Sequence, residues 1–236
     1  MTIDRDTPAV FIVGCPRSGT TLLQEILNRH PDLAIGPETH FFSHFRRHLL
    51  RRHYRWLYRL LGSDRQKRKL DRRLMPRHCV GDHLLARIDE RRVLRALADY
   101  PYFNETGMPL GAVTSVPVEG LEPAFARVFG RWLGAHRAEG GAQVIGEKTP
   151  IHVMHMHEIQ SIFSSARFVH IVRDAHATIA SLKKMPWASN RADVNAHLWK
   201  RCSNPPRDGI RCYLRIAFED LIQDPRSSMV AVCEFL

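Results

Sequence analysis

The chain opens with an apolar run, a glycine-containing loop and an amphipathic helix, in that order. Residues 9–13 read AVFIV, a β-branched and aromatic stretch typical of a buried strand. The loop GCPRSGTT follows at residues 14–21, and apolar residues then recur at helical spacing until His30 and Pro31. This strand–loop–helix unit restricts the possible folds strongly, since it is typical of a parallel sheet covered by helices.

The same alternation returns in the C-terminal half. The pattern predicts strands at 143–146, 167–172 and 213–218, each followed by a helix: about 151–163, about 175–184, and Pro225 to the end. Strands that alternate with helices need crossover connections, so we expect an α/β fold with a P-loop-type parallel sheet flanked by helices. The region from 41 to about 138, with a helix at 121–136, is mainly helical in pattern. We expect it to be an insertion in a single domain over residues 1–236.

The positive charge lies in one segment. Residues 46–77 contain thirteen Lys and Arg against Asp64 and Asp71, which accounts for the whole formal net charge of +11. We expect no nucleic-acid partner, because such a partner needs a basic domain surface and the remaining chain is neutral. We interpret the segment as a solvated helix face. The alternative is a non-catalytic domain that binds polyanions or an acidic membrane through it.

Cysteine usage and the N-terminus bear on the cellular compartment. Five cysteines without a Cys-x-x-Cys pair indicate reduced thiols in the cytoplasm better than disulfides or a zinc site. The apolar run at 9–13 is far shorter than the roughly 20 residues that cross a bilayer. The first residues show no basic stretch followed by an apolar one, so we expect neither a transmembrane segment nor a signal peptide.

The loop at 14–21 has the chemistry of an anion site. Gly14 and Gly19 have the spacing of a phosphate-binding loop, and the following helix presents N–H groups and a positive dipole end. Thr20 stands where nucleoside triphosphatases carry a Lys, and Arg17 supplies positive charge instead. The loop therefore predicts phosphate binding without γ-phosphoryl transfer; a P-loop kinase is the alternative.

Two further motifs follow predicted strands. Arg173 and Ser181 suit a second phosphate, with a structural ion pair between Arg173 and Asp174 as the alternative. Lys148, in GEKTP, is a point charge suited to developing negative charge, and Thr149 beside it is also a candidate helix N-cap. Ligands of parallel sheets bind at the carboxyl ends of strands, so we expect the three motifs to converge.

In order along the chain, PRSGTTLL, HPDLAIGPETHFF, GEKTP and RFVHIVRDAHATIASL resemble the sulfotransferase family that uses 3′-phosphoadenosine 5′-phosphosulfate (PAPS). The similarity is to its bacterial carbohydrate and tyrosylprotein branch. It covers residues 9 to about 184, and FEDLIQDP near Phe218 is also similar. The resemblance implies that Arg173 and Ser181 bind the 3′-phosphate. It implies that the loop binds the 5′-phosphosulfate through Arg17, Ser18, Gly19, Thr20 and Thr21.

The resemblance also implies the catalytic residues. The tyrosylprotein branch uses a Glu of a G-E-E-T segment as base, and Glu38 in GPET occupies that place. Its Lys in a K-D-P segment corresponds to Lys148. His40 is the alternative base, because other branches use a histidine. The implied reaction transfers a sulfuryl group from PAPS, without a metal, and releases adenosine 3′,5′-bisphosphate. The acceptor would be a hydroxyl or phenol of a glycan, a peptide tyrosine or a small molecule, and an anionic one would suit the arginines of the insertion.

A group of three histidines and the C-terminal end are further features of the sequence. His152, His155 and His157 lie over more than one helix face, so we interpret them as polar residues near the cleft mouth rather than metal ligands. The chain stops at Leu236 inside a predicted helix. Members of the family continue with a segment that closes over the nucleotide, so we expect a chain truncated at its C-terminus.

Overall fold

The computed structural model describes residues 9–53, 55–61, 63, 65–66, 100 and 142–236. The N-terminal elements are β1 (Ala9–Gly14), α1 (Thr20–Leu27), β2 (Leu33–Gly36), a π-helical turn (Phe41–Phe45), α2 (Arg46–His53) and α3 (Arg55–Leu60). The C-terminal elements are β3 (Val144–Lys148), a 3₁₀ helix (Pro150–His155), α4 (Met156–Ile162), β4 (Arg167–Val172), α5 (Ala175–Lys183), α6 (Ala192–Ser203), β5 (Cys212–Ala217), α7 (Phe218–Gln223) and α8 (Pro225–Phe235).

The strands of the described residues form one parallel sheet in the order β2-β3-β1-β4-β5. β1 lies at its centre and all its residues are buried, as its unbroken apolar sequence predicts. Phe11 lies beside Glu147 of β3, and Gly14 lies beside Ile171 of β4. The predicted α/β class with a parallel sheet is therefore confirmed, and the carboxyl ends of all strands meet at one edge.

Helices pack on both faces of the sheet. One face holds an aliphatic core that joins strands β1, β2 and β4 to helices α1, α7 and α8. Its buried members are Val10, Ile12, Leu23, Leu27, Ile35, Val169, Ile171, Leu221 and Val232. The other face is aromatic: the Phe11 ring lies 6.0 Å from Phe163 and 5.7 Å from Phe168. These cores fix the strand ends that carry the predicted site.

Most predicted elements of the C-terminal half are present, with shifted ends. The strand predicted at 143–146 extends to Lys148, and the helix predicted at 151–163 is divided into the 3₁₀ helix and α4. Strand β2 and helices α6 and α7 were not predicted. The helix predicted at 121–136 lies outside the described residues, as does most of the mainly helical insertion.

The chain divides into two compact units, one formed by Met1–Thr39 with Trp132–Leu236 and the other by His40–Arg131. In the second unit, the Phe45 ring lies 5.2 Å from Phe41 and 5.2 Å from Tyr100. Helices α2 and α3 lie in the basic segment 46–77, and their described arginines are exposed. The single domain over 1–236 with its insertion stays a prediction. Within the described part of the chain, no helix has the length and apolarity to cross a membrane.

Candidate functional site

The phosphate loop (residues 14–21) leaves β1 through two positions that require glycine. A Cβ on Gly14 would lie 2.5 Å from the Ile171 carbonyl oxygen and 2.9 Å from Ser18 Oγ. Gly19 has a φ of 98°, and a Cβ there would collide with the Phe218 ring. The glycines thus allow the loop to pack between β4 and Phe218.

The loop has unused hydrogen-bonding capacity that fits an anion. Ser18 is fully buried, and its Oγ has no hydrogen-bond partner among the described residues. Gly19 is the N-cap of α1 and supplies no side-chain oxygen, so the first N–H groups of that helix lack the usual cap. Arg17, at a φ of 74°, adds positive charge to the same loop. The N-terminus of α1, which has no side-chain cap, lies beside the Ser18 hydroxyl, which has no hydrogen-bond partner among the described residues. Together they fit a phosphate oxygen.

The second predicted phosphate site adjoins this loop. Arg17 Nε donates to Ser181 Oγ at 3.1 Å, and Arg173 Nη1 makes a longer contact of 3.4 Å with the Arg17 carbonyl oxygen. Arg173 is itself held on two sides. Its carbonyl accepts from Trp199 Nε1 at 2.9 Å, and its guanidinium carbon lies 4.4 Å from the centre of the Phe218 ring. The structure therefore brings Arg17, Arg173 and Ser181 together, as the sequence predicts.

Asp174 serves helix α5 rather than its neighbour Arg173. Its carboxylate accepts from Ala177 N at 2.9 Å as the N-cap of α5. That backbone hydrogen bond is the main reason why the pKa of Asp174 lies below its ordinary value. The backbone N–H of Asp174 donates to Glu219 at the start of α7. Arg173 is thus positioned by Phe218 and Trp199, and the alternative of an Arg173–Asp174 ion pair is wrong.

Glu38 and Lys148 meet at the carboxyl ends of β2 and β3. Lys148 Nζ lies 2.5 Å from Glu38 Oε1 and donates to Thr21 Oγ1 at 3.3 Å. Only 6% of the Lys148 side-chain surface is exposed, whereas 36% of the Glu38 side-chain surface is exposed. The pair therefore has a protected cation and a more accessible carboxylate, and Thr21 connects it to the phosphate loop.

A buried carboxylate lies behind this pair. Glu147 is fully buried; its Oε1 accepts from Thr39 Oγ1 at 2.9 Å and from the Thr149 hydroxyl. Its Oε2 lies 3.0 Å from His152 Nδ1. Burial alone would raise the pKa of Glu147, but the His152 charge and the hydrogen bonds outweigh burial and hold that pKa below its ordinary value.

This arrangement corrects two sequence interpretations. Thr149 is the N-cap residue of the 3₁₀ helix by position, but its side chain makes no capping bond and donates to Glu147 instead. His152 does not lie near a cleft mouth, because it is fully buried against the same carboxylate. The buried, ionised carboxylate of Glu147 needs hydrogen-bond partners, and the side chains of Thr149 and His152 both bind to it.

The other histidines that the sequence analysis singled out form contacts away from Glu147. His155 Nδ1 lies 3.2 Å from Glu158 Oε2, and His157 Nε2 lies 2.8 Å from the Asp208 carbonyl oxygen. Among the described residues, no group of three or more His, Cys, Asp or Glu is placed to hold a metal ion. His40, the alternative base, belongs to the second unit, where its ring stacks on His44 at 4.7 Å.

Sequence reasoning missed three residues of the site. Phe218 was predicted as the last residue of a strand, yet it begins α7 and lies under the Arg173 guanidinium. Trp199 lies on α6, a helix that the sequence pattern was not used to predict. Glu147 is adjacent to Lys148 in GEKTP but follows the strand predicted at 143–146, so its burial in β3 became evident only from the structure.

The family model described as "Sulfotransferase family" matches residues 8–236. Protein-tyrosine sulfotransferase 2 of Gallus gallus is 23% identical over an alignment of 245 positions, which covers 98% of this chain and 52% of that protein. Nodulation protein NoeE of Sinorhizobium fredii is 26% identical over an alignment of 192 positions, which covers 77% of this chain and 33% of that protein. The chain thus spans about half or less of the length of these relatives.

A solved structure shares the fold. The sulfotransferase domain from the curacin biosynthetic pathway superposes with a TM-score of 0.52 at 17% identity, covering 98% of this chain and 74% of that one. At this identity the likeness concerns the α/β architecture alone.

Proposed function

Since the chain belongs to the sulfotransferase family, we propose that it transfers a sulfuryl group from PAPS to a hydroxyl or phenol acceptor, with release of adenosine 3′,5′-bisphosphate. One observation carries this proposal. The phosphate loop contacts Ser181 through Arg17 on one side and Lys148 through Thr21 on the other. A single loop thus joins the residues that we propose for two anion sites to the proposed catalytic pair of Glu38 and Lys148. This arrangement suits PAPS, which carries phosphates at two ends of one nucleoside.

In this proposal the loop holds the 5′-phosphosulfate and the second site holds the 3′-phosphate. The N–H groups at the start of α1 and the Ser18, Thr20 and Thr21 hydroxyls surround the 5′ group. Arg173 supplies a forked cation to the 3′-phosphate, and Ser181 adds a hydrogen bond. ADP lacks a 3′-phosphate, so it should bind less tightly than adenosine 3′,5′-bisphosphate.

Glu38 and Lys148 have the chemistry that sulfuryl transfer needs. The acceptor oxygen forms a bond to sulfur while the bond from sulfur to the bridging phosphate oxygen breaks. Glu38 takes the proton of the acceptor hydroxyl, and must approach that oxygen to within about 2.6–3.2 Å. Lys148 stabilises the negative charge that grows on the bridging and sulfuryl oxygens. Its burial strengthens this interaction, since the local dielectric is lower than in water.

The relatives support a hydroxyl-bearing acceptor. The Gallus gallus relative is named a protein-tyrosine sulfotransferase, and tyrosine carries a phenol. We therefore propose a peptide tyrosine, a glycan or a small-molecule hydroxyl as acceptor. We also place the enzyme in the cytoplasm, because the described cysteines, which include the buried Cys15 and Cys202, are free thiols.

The test is a transfer assay with sulfur-labelled PAPS and three acceptors: a tyrosine peptide, an oligosaccharide and p-nitrophenol. We expect labelled product and an equal amount of adenosine 3′,5′-bisphosphate with at least one acceptor. Lys148→Ala should abolish most of the transfer, whereas Lys200→Ala, at an exposed lysine on α6, should not. Phosphoryl transfer from ATP in a parallel reaction with Mg²⁺, without sulfuryl transfer, would support the kinase alternative and contradict the proposal.

A further inference from the structure

Glu147 is a carboxylate sealed inside the protein, next to Lys148 in β3. It is 0% exposed, and its Oε2 lies 3.0 Å from His152 Nδ1. A buried carboxylate is costly unless it is paired and hydrogen-bonded, and a well-packed apolar pair is often as stable as a buried ion pair. Stability therefore gives little reason for a charge at this position, and a positional role is the better explanation.

The other oxygen of Glu147 binds groups adjacent to both reactive residues. Oε1 accepts from Thr39 Oγ1 at 2.9 Å and from the Thr149 hydroxyl. Thr39 directly follows Glu38, and Thr149 directly follows Lys148. One carboxylate oxygen thus joins two chain segments that lie 108 residues apart and carry the reactive side chains.

Side chains also hold the backbone where Glu38 lies. Strand β2 ends at Gly36, so residues 37–39 continue beyond the ladder of β2 and β3. The Thr39 N–H donates to Thr149 Oγ1 at 3.1 Å and makes a longer contact of 3.4 Å with Glu147 Oε1. The Glu147 network therefore replaces strand pairing one residue after Glu38.

We propose that Glu147 is a positioning residue: through Thr39 and Thr149 it holds Glu38 at 2.5 Å from Lys148 in the geometry that the transfer requires. This inference rests on the proposed function. Glu147 acts only through its neighbours, so its loss should lower kcat and leave KM and nucleotide binding nearly unchanged. Misplacement by about 1 Å can lower a rate about a hundredfold, so a ten- to hundredfold loss in kcat is expected.

The sharpest test compares Thr39→Val with Thr39→Ser. Val keeps the shape of Thr but lacks the hydroxyl that donates to Glu147, whereas Ser keeps the hydroxyl and loses a methyl group. If the hydrogen bond positions Glu38, the Val variant should have the lower kcat. If Thr39 only fills space, the Ser variant should be the worse of the two, and this order would overturn the inference.

Glu147→Gln tests the carboxylate itself. We expect kcat to fall ten- to hundredfold, while KM and the affinity for adenosine 3′,5′-bisphosphate stay within about twofold. Val232→Ala, in the buried core at α8, is the control for a general loss of stability and should keep its kcat. Equal loss of kcat in both variants, at equal loss of thermal stability, would contradict a positioning role.

Chemical labelling of Lys148 does not require sulfuryl transfer, so it tests the positioning role of Glu147 independently of the proposed function. Acetic anhydride labels accessible lysine amines, and mass spectrometry reports the labelled fraction at Lys148. Thr39→Val should increase that fraction more than Thr39→Ser, because a loosened Glu38 exposes the amine. If the wild-type chain transfers no sulfuryl group, the proposed function fails, and the labelling order still decides the positioning inference. Identical labelling of Lys148 in both variants would overturn it.

Discussion

Replacement of Phe218 by Leu should weaken nucleotide binding through Arg173. The Phe218 ring centre lies 4.4 Å from the Arg173 guanidinium carbon, within the range of a cation–π interaction. Such contacts contribute about 0.5–2 kcal/mol, depending on desolvation, and both residues are partly buried. Loss of the ring should therefore weaken the binding of adenosine 3′,5′-bisphosphate about two- to thirtyfold. Leu still covers Gly19, so the phosphate loop keeps its apolar neighbour.

Isothermal titration calorimetry at one fixed ionic strength measures this effect. Phe218→Tyr keeps the ring and should bind the bisphosphate with nearly the wild-type affinity. Phe163→Leu is the matched control, since Phe163 is buried on the aromatic face of the sheet against Phe11. It should lose stability without a change in affinity.

A double-mutant cycle tests whether Phe218 acts on nucleotide binding through Arg173. In an Arg173→Ala background, Phe218→Leu should have almost no further effect on affinity, because the ring then has no cation to hold. An equal loss of affinity in both backgrounds would show that Phe218 acts independently of Arg173. Unchanged affinity in the single Phe218→Leu variant would also contradict the account.

Three further predictions concern catalysis, pH and the loop. Lys148→Ala should lower the rate of sulfuryl transfer about 10²–10³-fold while bisphosphate affinity changes little; steady-state kinetics and calorimetry report the two effects, with Lys200→Ala as control. Burial and two neighbouring arginines lower the pKa of His170 to about 3. The unfolded chain then binds more protons below about pH 6.5, so the free energy of unfolding should fall by about 2 kcal/mol at pH 5. Urea titrations of wild type and His170→Gln test this, and a wild-type pH dependence in the variant would refute it. Gly19 and Gly209 both have positive φ, but only Gly19 faces a neighbouring ring, so Gly19→Ala should reduce the melting temperature more than Gly209→Ala.

The sequence predicted the parts of the site that lie at strand–helix junctions. Arg17, Arg173 and Ser181 lie within or after loops whose residue spacing is local, and the rule for parallel sheets places such loops at one edge. The structure brings all three together. The meeting of Glu38 with Lys148 was implied by family resemblance, because nothing in the local pattern links residues 110 positions apart.

The remaining features depend on contacts that local patterns do not encode. β2 has four residues, too few for a periodic signal. Phe218 continues a β-like sequence, but its ring packs under Arg173, which lies in a separate strand–helix unit. Thr149 has the sequence of a cap, yet it bonds to Glu147 because an ionised carboxylate in the interior needs every available donor.

Calorimetry distinguishes a site for two phosphates at the two ends of one nucleoside from a site for a 5′-diphosphate alone. Adenosine 3′,5′-bisphosphate and ADP are titrated into the full chain without Mg²⁺, and both titrations are repeated with Arg173→Ala and with Arg201→Ala, an exposed arginine on α6. We expect a clear preference for the bisphosphate that Arg173→Ala removes and Arg201→Ala keeps. Equal affinity for both nucleotides in the wild-type chain, or a preference that survives in Arg173→Ala, would contradict it.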